Sequence, residues 1–479
     1  MDTLLPPGLL DHAYADLPQR FGARVSPEPS PSPTLIAWNA PLAEELALQD
    51  LSEDQKLALS SGNALPEDAV PIAAAYAGHQ FGGLVPQLGD GRAVLLGERV
   101  DGANRAVDIQ LKGSGPTPFS RGGDGRAWLG PVIREYVMSE AMHALGVPTT
   151  RALAAVATGA DVWREQPLPG AIITRTARSH IRVGTFVYFA IRGDDKALNI
   201  LVEQSLVRVY PHLLDAENKA LALLKAVIEA QALLVAKWMA LGFIHGVMNT
   251  DNVAISGETI DYGPCAFMDE FARGRVFSSI DRQGRYAYAN QPRIAHWNLA
   301  QFAGTLLPVL ADDENAAQEL AQTAINSFTG IYEDAWCREF GRKLGFATLD
   351  DEGLALGERL LDLLEEHALD FTNTFRGLAN GEQPPALDLW HSQWSAQLAA
   401  AGVPMAEAQS RMKSANPARI PRNHRVEEAI SAAAFESDYG PFERLKAALA
   451  APYQDQPEYE LYTKAPSEAE RVTRTFCGT

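Results

Sequence analysis

The chain has 479 residues and a formal net charge of −19 at pH 7. A chain of this length exceeds the size at which a single core keeps growing, so we expect two or more lobes. Hydrophobic residues make up 46% of the chain and charged residues 21%, which is typical of an ordinary folded protein. The acidic excess argues against general binding to nucleic acid or to an anionic membrane surface.

Cysteine usage and the N-terminal stretch predict a cytoplasmic protein. Three cysteines occur, Cys265, Cys337 and Cys477, so neither a disulfide framework nor a cysteine zinc site is expected. The stretch MDTLLPPGLLDHAY is acidic and lacks the basic region of a targeting peptide. The sequence has no apolar run long enough to span a bilayer.

The order of the predicted elements indicates an α+β protein with a mixed lobe followed by a helical lobe. The Pro/Ser-rich segment 26–33 predicts an extended strap that precedes the first packed element. Between about residues 76 and 191, glycines and short alternating runs predict a sheet. From about residue 196 to 449 the pattern changes to long helices, and the clearest of them covers 219–241 and ends at Gly242.

The segment VDIQLK, residues 107–112, predicts a strand because its apolar and polar residues alternate. Its last residue, Lys112, stands where protein kinases hold the lysine that contacts nucleotide phosphates. A solvated surface lysine is the alternative. The segment PVIREYVMSEAMHALG predicts a helix, in which Glu135 would pair with Lys112, and Glu140, on another face, is the rival partner.

The segment FIHGVMNTDNVAISGETIDYGP is similar to the catalytic region of protein kinases, written H-R-D-x-x-x-x-N and later D-F-G. His245 begins the first motif, Asn252 ends it, and Asp261 begins the second. Val247 stands where a kinase has its catalytic aspartate. The segment therefore predicts nucleotide chemistry without the usual kinase base.

Two short strand candidates within this segment, 253–255 and 258–260, are separated by Ser-Gly, which predicts a β-hairpin. In that register Asn252 would lie opposite Asp261. An amide oxygen and a carboxylate so close together suit Mg²⁺ that carries nucleotide phosphates. A surface hairpin with polar ends is the alternative.

Two further stretches indicate a bound polyanion. The loop 113–131 is rich in glycine, which permits backbone N–H groups to approach phosphate closely, and it contains Arg121 and Arg126. A flexible connector is the alternative for this loop. The second stretch, RTARSHIR, contains three arginines and no acidic residue: Arg175, Arg178 and Arg182. A solvated basic face is the alternative for this second stretch.

Taken together, the segments resemble the selenoprotein O family, which are kinase-fold pseudokinases that transfer AMP to proteins. The resemblance covers nearly the whole chain. It implies a bilobal protein-kinase-like fold with an N-terminal extension (1–70), a sheet-containing N-lobe (71–195), a helical C-lobe (196–449) and a tail (450–479). The segments that carry it are YAGHQFGG, LGDGRAVLLGE, QLKGSGPTPFSRGGDGRAWLGPVIREY, ITRTARSHIRVGTF, HGVMNTDN, DYGP, NQPRIAHWNL and NPARIPRNHRVEEAI.

The resemblance implies an inverted ATP, whose α-phosphate rather than γ-phosphate faces the acceptor. Lys112 and Glu135 would then orient the nucleotide, and Arg175 and Arg182 would hold the β- and γ-phosphates, which leave as pyrophosphate. The family's metal ligands match Asn252 and Asp261, for Mg²⁺ with Mn²⁺ as the alternative, and its proposed proton acceptor matches Asp251. A loop-capping aspartate is the alternative for Asp251. The residues that would line the nucleotide pocket are Gly89, Gly91, Arg92, Asp124 and Gly125.

A redox-active residue near the C-terminus is frequent in the family, and Cys477 matches that position in TFCGT. Some members pair it with a cysteine after the D-Y-G motif, where Cys265 is the nearby candidate, so a regulatory disulfide and an unpaired C-terminal thiol both stay open.

The function expected from the resemblance is transfer of AMP to serine, threonine or tyrosine hydroxyls of proteins, with self-modification included. The expected form is a monomer that binds neither nucleic acid nor membrane. The alternatives are a small-molecule phosphotransferase, a non-catalytic nucleotide-binding scaffold, and UMP transfer from UTP, because no motif in the sequence fixes the base.

Overall fold

The protein is a mixed α+β structure in a computed structural model that describes residues 4–476. Its sheet lies in the N-terminal part of the chain and its long helices in the C-terminal part, as the sequence predicts. In the described residues, no helix is long and apolar enough to cross a membrane. The strands are β1 Gly22–Arg24, β2 Thr34–Trp38, β3 Ile72–Ala74, β4 Gly78–Gln80, β5 Gly83–Val85, β6 Ala93–Val100, β7 Ala106–Lys112, β8 Ala127–Trp128, β9 Arg151–Trp163, β10 Pro167–Ala177, β11 Phe243–Ile244 and β12 Ala266–Phe267.

Within residues 4–476, eight strands form one antiparallel sheet in the order β1-β3-β6-β7-β10-β9-β2, with β8 paired to β10. The sheet therefore begins at residue 22, well before the region where alternation predicts it. The prediction that segment 26–33 precedes the first packed element is wrong, because this segment connects the two edge strands β1 and β2. Such short edge strands carry little periodicity of their own.

Strand β7 lies in the middle of the sheet and has two different faces. Its apolar side chains, among them Ile109 and Leu111, pack in a hydrophobic cluster with Leu42 and Leu59 from the N-terminal segment. Because successive side chains of a strand alternate, the polar residues of β7 point to the opposite face, where Lys112 is buried rather than solvated. This alternation confirms the predicted strand and places a lysine at the inner face of the sheet.

The rest of the chain is mainly helical. The clearest of the predicted helices is present over Lys219–Leu241; the Asn218 side chain caps its N-terminus, and Gly242, with φ of 70°, ends it. Its apolar face is buried in the largest hydrophobic core. The helices are α1 Ala40–Glu45, α2 Glu53–Ser61, α3 Leu129–Ala144, α4 Val183–Ala190, α5 Asp195–Val209, α6 Lys219–Leu241, α7 Gln291–Leu310, α8 Glu314–Lys343, α9 Asp351–Glu366, α10 Phe371–Asn380, α11 Asp388–Ala400, α12 Met405–Ala415, α13 Asn423–Glu436 and α14 Gly440–Leu449.

Helix α3 connects the sheet to the C-terminal helices. It packs against β9 and β10 on one side and against α13 and α14 on the other. Arg134 of α3 forms an ion pair with Glu427 of α13, and Tyr136 meets the ring of Phe442 in α14 edge-on, with ring centroids 5.5 Å apart. The last helices of the chain therefore fix the helix that carries Glu135.

Candidate functional site

A cavity of about 750 Å³ opens between the inner face of the sheet and the segment that contains residues 247–264. A volume of this size accommodates a nucleotide-sized ligand. Every residue that the sequence predicts for the site lines this cavity: Gly89, Gly91, Arg92, Lys112, Asp124, Gly125, Glu135, Arg175, Arg182, Asp251, Asn252 and Asp261.

Lys112 of β7 and Glu135 of α3 form the predicted ion pair, with 2.7 Å between Nζ and Oε2. Burial alone would raise the pKa of Glu135, but the charges of Lys112 and Arg175 outweigh it and hold the pKa below its ordinary value. The rival Glu140 lies elsewhere and accepts hydrogen bonds from the Arg151 side chain. Two predicted elements, one strand and one helix, therefore bring this pair together.

Asp261 is the centre of a buried cationic cluster. Its Oδ1 accepts hydrogen bonds from Lys112 Nζ and Arg175 Nη1, each at 2.7 Å, and its Oδ2 accepts one from Arg182 Nη1 at 3.2 Å. Burial opposes the charged form, yet these three cations hold the pKa of Asp261 well below its usual range. The Asp261 carboxylate therefore faces three positive charges. We call the three residues that carry them, Lys112, Arg175 and Arg182, the cationic cluster.

The two arginines of the cluster are buried and oriented by further contacts. Arg175 also donates to Glu135 Oε1 at 2.9 Å and to Gln110 at 2.8 Å. Arg182 donates to the backbone carbonyl of Asp251 at 2.8 Å, and its guanidinium lies 4.5 Å from the ring centroid of Tyr76. A solvated basic face is therefore wrong for both residues.

Arg178, the third arginine of the same stretch, does not join the cluster. Its side chain donates to the carbonyl of Val209 at 2.7 Å. It is not among the described residues that line the cavity.

Two glycine-containing turns form one wall of the cavity. Gly89 has φ of 73°, and a Cβ atom there would lie 2.3 Å from the ring of Phe119, so only glycine fits this close approach. Ser120 donates to the carbonyl of Gly91, which holds the turn at residues 89–92 against the loop 113–131. In that loop Asp124 forms an ion pair with Arg164, with 2.8 Å between Nη1 and Oδ2. The loop is anchored at these points rather than a free connector.

The hairpin predicted at residues 253–260 is wrong. Ala254 instead forms an antiparallel bridge with Arg182, and Thr259 a parallel bridge with Thr149. Gly257, with φ of 72°, does turn the chain as expected, but each flank then pairs with a different neighbour. The register that placed Asn252 opposite Asp261 therefore fails, although both residues line the cavity.

The donor set fits a divalent cation that also binds phosphate. Asn252 lies in a short 3₁₀ turn, Thr250–Asn252, and its amide nitrogen donates to the carbonyl of Val247 at 2.9 Å, which leaves its oxygen for a cation. Asp261 adds carboxylate oxygens to the same cavity. Among residues 4–476, no group of three or more His, Cys, Asp or Glu side chains is able to hold a metal alone. Phosphate oxygens would complete the shell, as Mg²⁺ prefers.

Asp251 lies on the other side of the cavity from the sheet. Its carboxylate packs on the backbone of Gly78, where a Cβ atom would be 2.2 Å from Oδ1. Burial raises the pKa of Asp251 to about 6, and no donor among the described residues reaches its Oδ1. A carboxylate that lines the cavity and has a raised pKa is suited to accept a proton. Val247 lines the same cavity nearby.

The cavity also contains residues that the motifs did not single out. Asp90 is buried within the turn at residues 89–92 and accepts a hydrogen bond from Gln110 at 3.2 Å. Gln80, Phe81 and Ile280 also line the cavity. Gln80 and Phe81 belong to the segment YAGHQFGG, which is one of the family-like motifs, but the sequence of this motif alone assigns no chemical role to them.

The structure describes one of the two cysteines for which both a disulfide and an unpaired thiol stayed open. Cys265 is buried, and its Sγ donates to the carbonyl of Tyr262 at 3.4 Å. Cys477 lies outside the described residues. Thr475, two residues earlier, forms a parallel bridge with Ser278 and donates to the carbonyl of Pro264 at 2.6 Å. The tail thus approaches the segment of Cys265, and both alternatives, a disulfide and an unpaired thiol, stay open.

Comparison with known proteins agrees with a nucleotide-transfer enzyme. The chain matches the family model described as protein adenylyltransferase SelO over residues 10–450. It is 53% identical to the protein nucleotidyltransferase YdiU of Rhizobium rhizogenes, over 99% of this chain and 97% of that protein. It is 52% identical to the protein of the same name from Agrobacterium fabrum, over 98% of this chain and 99% of that protein.

These matches define the class of the protein as a nucleotidyltransferase. The chain belongs to the SelO family of protein adenylyltransferases, as the resemblance of its motifs predicts.

Proposed function

We propose that this protein transfers AMP from ATP to serine, threonine or tyrosine hydroxyls of proteins and releases pyrophosphate. One observation carries the proposal: a single cavity contains a buried cationic cluster and, apart from it, a buried carboxylate. The cationic cluster converges on Asp261. Asp251 lies outside that cluster and lines the same cavity. The fold that suits this arrangement is kinase-like, with the nucleotide between the sheet and the helices.

The arrangement favours an inverted nucleotide. Arginine guanidinium groups bind phosphate oxygens in a two-pronged geometry, so Arg175 and Arg182 suit the β- and γ-phosphates. Lys112, held by Glu135, would orient the same phosphates. The α-phosphate would then point away from the cationic cluster and toward Asp251. An aspartate is missing at Val247, where a kinase places the base for γ-phosphoryl transfer.

The reaction balances with the residues present. The acceptor hydroxyl oxygen forms a bond to the α-phosphorus, and the bond from that phosphorus to the oxygen bridging to the β-phosphate breaks. Pyrophosphate leaves with that oxygen and with the bonding electron pair. Asp251 accepts the proton of the hydroxyl, a role for which a carboxylate with a pKa of about 6 is suited near neutral pH.

Asn252 and Asp261 would hold Mg²⁺, with Mn²⁺ as the alternative, together with phosphate oxygens. The ion, when bound, offsets negative charge on the phosphates and so lowers the barrier to displacement. The residues of the protein contribute to metal binding because Asp261 exchanges its hydrogen-bond partners when the nucleotide binds. As phosphates engage Lys112 and the two arginines, the carboxylate is released from those cations.

Intact-mass measurement after incubation with ATP and Mg²⁺ tests the proposal. We expect an acceptor protein, or the enzyme itself, to gain the mass of AMP, and pyrophosphate to appear in equal amount. A gain of a single phosphate with release of ADP would instead identify a phosphotransferase. Nucleotide binding without either product, unchanged in Asp251→Ala, would identify a scaffold. UTP in place of ATP separates UMP transfer from AMP transfer.

A further inference from the structure

Strands β4 and β5 form a small hairpin at the mouth of the cavity. Phe81 and Gly82 connect the two strands, and both have positive φ, 51° and 89°. A two-residue turn of this kind suits a β-hairpin, and Gly82 adopts it without penalty. A bulky residue such as Phe81 rarely adopts this conformation. The strained backbone at Phe81 indicates that its ring has a role beyond stabilising the hairpin.

The hairpin is attached to the segment that contains the proposed proton acceptor. The backbone N–H of His79 donates to Thr250 Oγ1 at 2.8 Å, and that of Phe81 donates to Asn249 Oδ1 at 3.0 Å. Gln80 lines the same cavity as Asp251. The hairpin tip therefore has a fixed position relative to Asp251.

The tip presents an apolar ring to the cavity that contains that carboxylate. The ring of Phe81 is packed against Tyr286, with ring centroids 5.1 Å apart, yet the residue is 39% exposed. Ile280, which is 51% exposed, lines the same cavity as Phe81. Two exposed apolar side chains at the mouth of a polar cavity are available to a partner that enters it.

Basic side chains lie beside the tip and near the base of the hairpin. The guanidinium carbon of Arg285 would lie 3.5 Å from a Cβ atom at Gly82. Arg192 is exposed and donates to the carbonyl of Pro86, just beyond β5, at 3.1 Å. In a chain with a net charge of −19, positive charge at this position favours a partner that carries carboxylates.

We propose that the hairpin tip is the acceptor-docking surface and that Phe81 is a specificity-determining residue. Its occupant is an extended segment of a protein acceptor, which carries an apolar side chain next to the reacting hydroxyl and an acidic side chain close by. The apolar side chain packs on Phe81 and Ile280, and the carboxylate lies near Arg285. This inference rests on the proposed AMP transfer, because it places the acceptor hydroxyl at Asp251.

The test uses the full-length protein and a matched set of synthetic peptides with one tyrosine each. The neighbouring position is leucine or alanine, and the flanking charge is glutamate or lysine. Phe81→Asn removes the ring but keeps the turn, because asparagine tolerates positive φ. Phe81→Tyr retains a ring. Leu84→Thr is the matched control, since Leu84 is 46% exposed on the same hairpin and is not among the described residues lining the cavity.

We expect the wild-type protein to prefer the leucine–glutamate peptide about tenfold in KM over the alanine form, which corresponds to burial of one apolar side chain. Phe81→Asn abolishes this preference, while Phe81→Tyr and Leu84→Thr keep it. Equal KM values for all four peptides in the wild type, or a preference unchanged in Phe81→Asn, would overturn the proposal. So would a preference for the lysine-flanked peptides.

Product analysis in the same reactions separates this inference from the proposed function. AMP incorporation and pyrophosphate release without peptide preference contradict the docking surface alone. A wild-type protein that modifies itself or bulk protein but no peptide of the set also contradicts it. If neither AMP adducts nor pyrophosphate form with any acceptor, the proposed function fails, and the docking surface fails with it.

Discussion

Asp261 balances three buried cations, and this balance explains several features of the site. The carboxylate stays charged because Lys112, Arg175 and Arg182 compensate the cost of burial. The same cations stay fixed because one carboxylate holds them. A buried charge cluster of this kind adds little net stability to a fold. Its value for the proposed function is that three groups suited to bind phosphate already point to one place.

Arg175 is expected to discriminate ATP from AMP. Replacement by methionine removes the guanidinium but retains much of its volume. If Arg175 binds the β- and γ-phosphates, ATP should bind about tenfold more weakly, the equivalent of one lost charge-assisted hydrogen bond. AMP should bind as it does in the wild type. Isothermal titration calorimetry with both nucleotides measures the difference.

Arg178→Met is the matched control for that titration, because Arg178 lies on the same stretch but donates to Val209 outside the cavity. It should leave both affinities unchanged. Equal losses of ATP and AMP affinity in Arg175→Met would contradict the inverted nucleotide.

Asp251 is expected to act in the chemical step and not in nucleotide binding. Asp251→Asn keeps the shape of the side chain but removes the proton acceptor. AMP transfer should fall by about 10²- to 10⁴-fold, the usual contribution of a positioned base. ATP affinity should change little. Single-turnover measurements with saturating ATP test this, and a variant that retains wild-type turnover would remove Asp251 from the mechanism.

The sequence predicts a contact between two side chains well when each side chain belongs to a clearly periodic strand or helix. Lys112 ends an alternating strand and Glu135 lies on an amphipathic helix, so both side chains have defined directions. The prediction that Asn252 lies opposite Asp261 in a β-hairpin was wrong because it depended on pairing two very short strands with each other. Strands of three residues have too few side chains to fix a partner, and Thr149 and Arg182 compete for them.

At the scale of elements, a buried lysine couples helices α8, α10 and α12. Lys343, at the end of α8, is 2% exposed, and its Nζ donates to Asn416 Oδ1 at 2.7 Å. The same nitrogen lies 4.1 Å from the ring centroid of Phe375 in α10. Burial lowers the pKa of Lys343 to about 7. Nothing in the amino-acid pattern distinguishes this lysine from the exposed ones.

The pKa of Lys343 predicts a dependence of stability on pH. Between about pH 7 and pH 10 the unfolded chain binds a proton that the folded protein does not. Stability from this group therefore rises with pH, by at most about 1.4 kcal/mol per pH unit. Below that range the lysine is charged in both states, and its contribution is constant.

Urea unfolding of Lys343→Met at several pH values measures how much Lys343 contributes to the pH dependence of stability. The variant should lack the rise in stability that the wild type gains above about pH 7. Lys413→Met, at an exposed position in α12, should keep it. Parallel stability curves for the wild type and Lys343→Met would contradict a neutral lysine in this position.

At the scale of the molecule, the α+β composition and the order of sheet and helices follow from the sequence, because long periodic segments such as 219–241 are unambiguous. The edge strands were missed, since Gly22–Arg24 and Thr34–Trp38 become strands only through pairing with distant partners. The division of the chain at residues 70, 195 and 449 stays a prediction. The bracing of α3 by α13 and α14 was also missed, because no local pattern encodes it.

The orientation of the bound nucleotide decides which phosphorus meets the acceptor, and a crystal structure with a non-hydrolysable ATP analogue and Mg²⁺ would show it. We predict that the α-phosphorus lies nearest the carboxylate of Asp251, with the β- and γ-phosphates on Arg175 and Arg182 and the ion between Asn252 and Asp261. A γ-phosphorus at Asp251, with the α-phosphate on the arginines, would contradict the account.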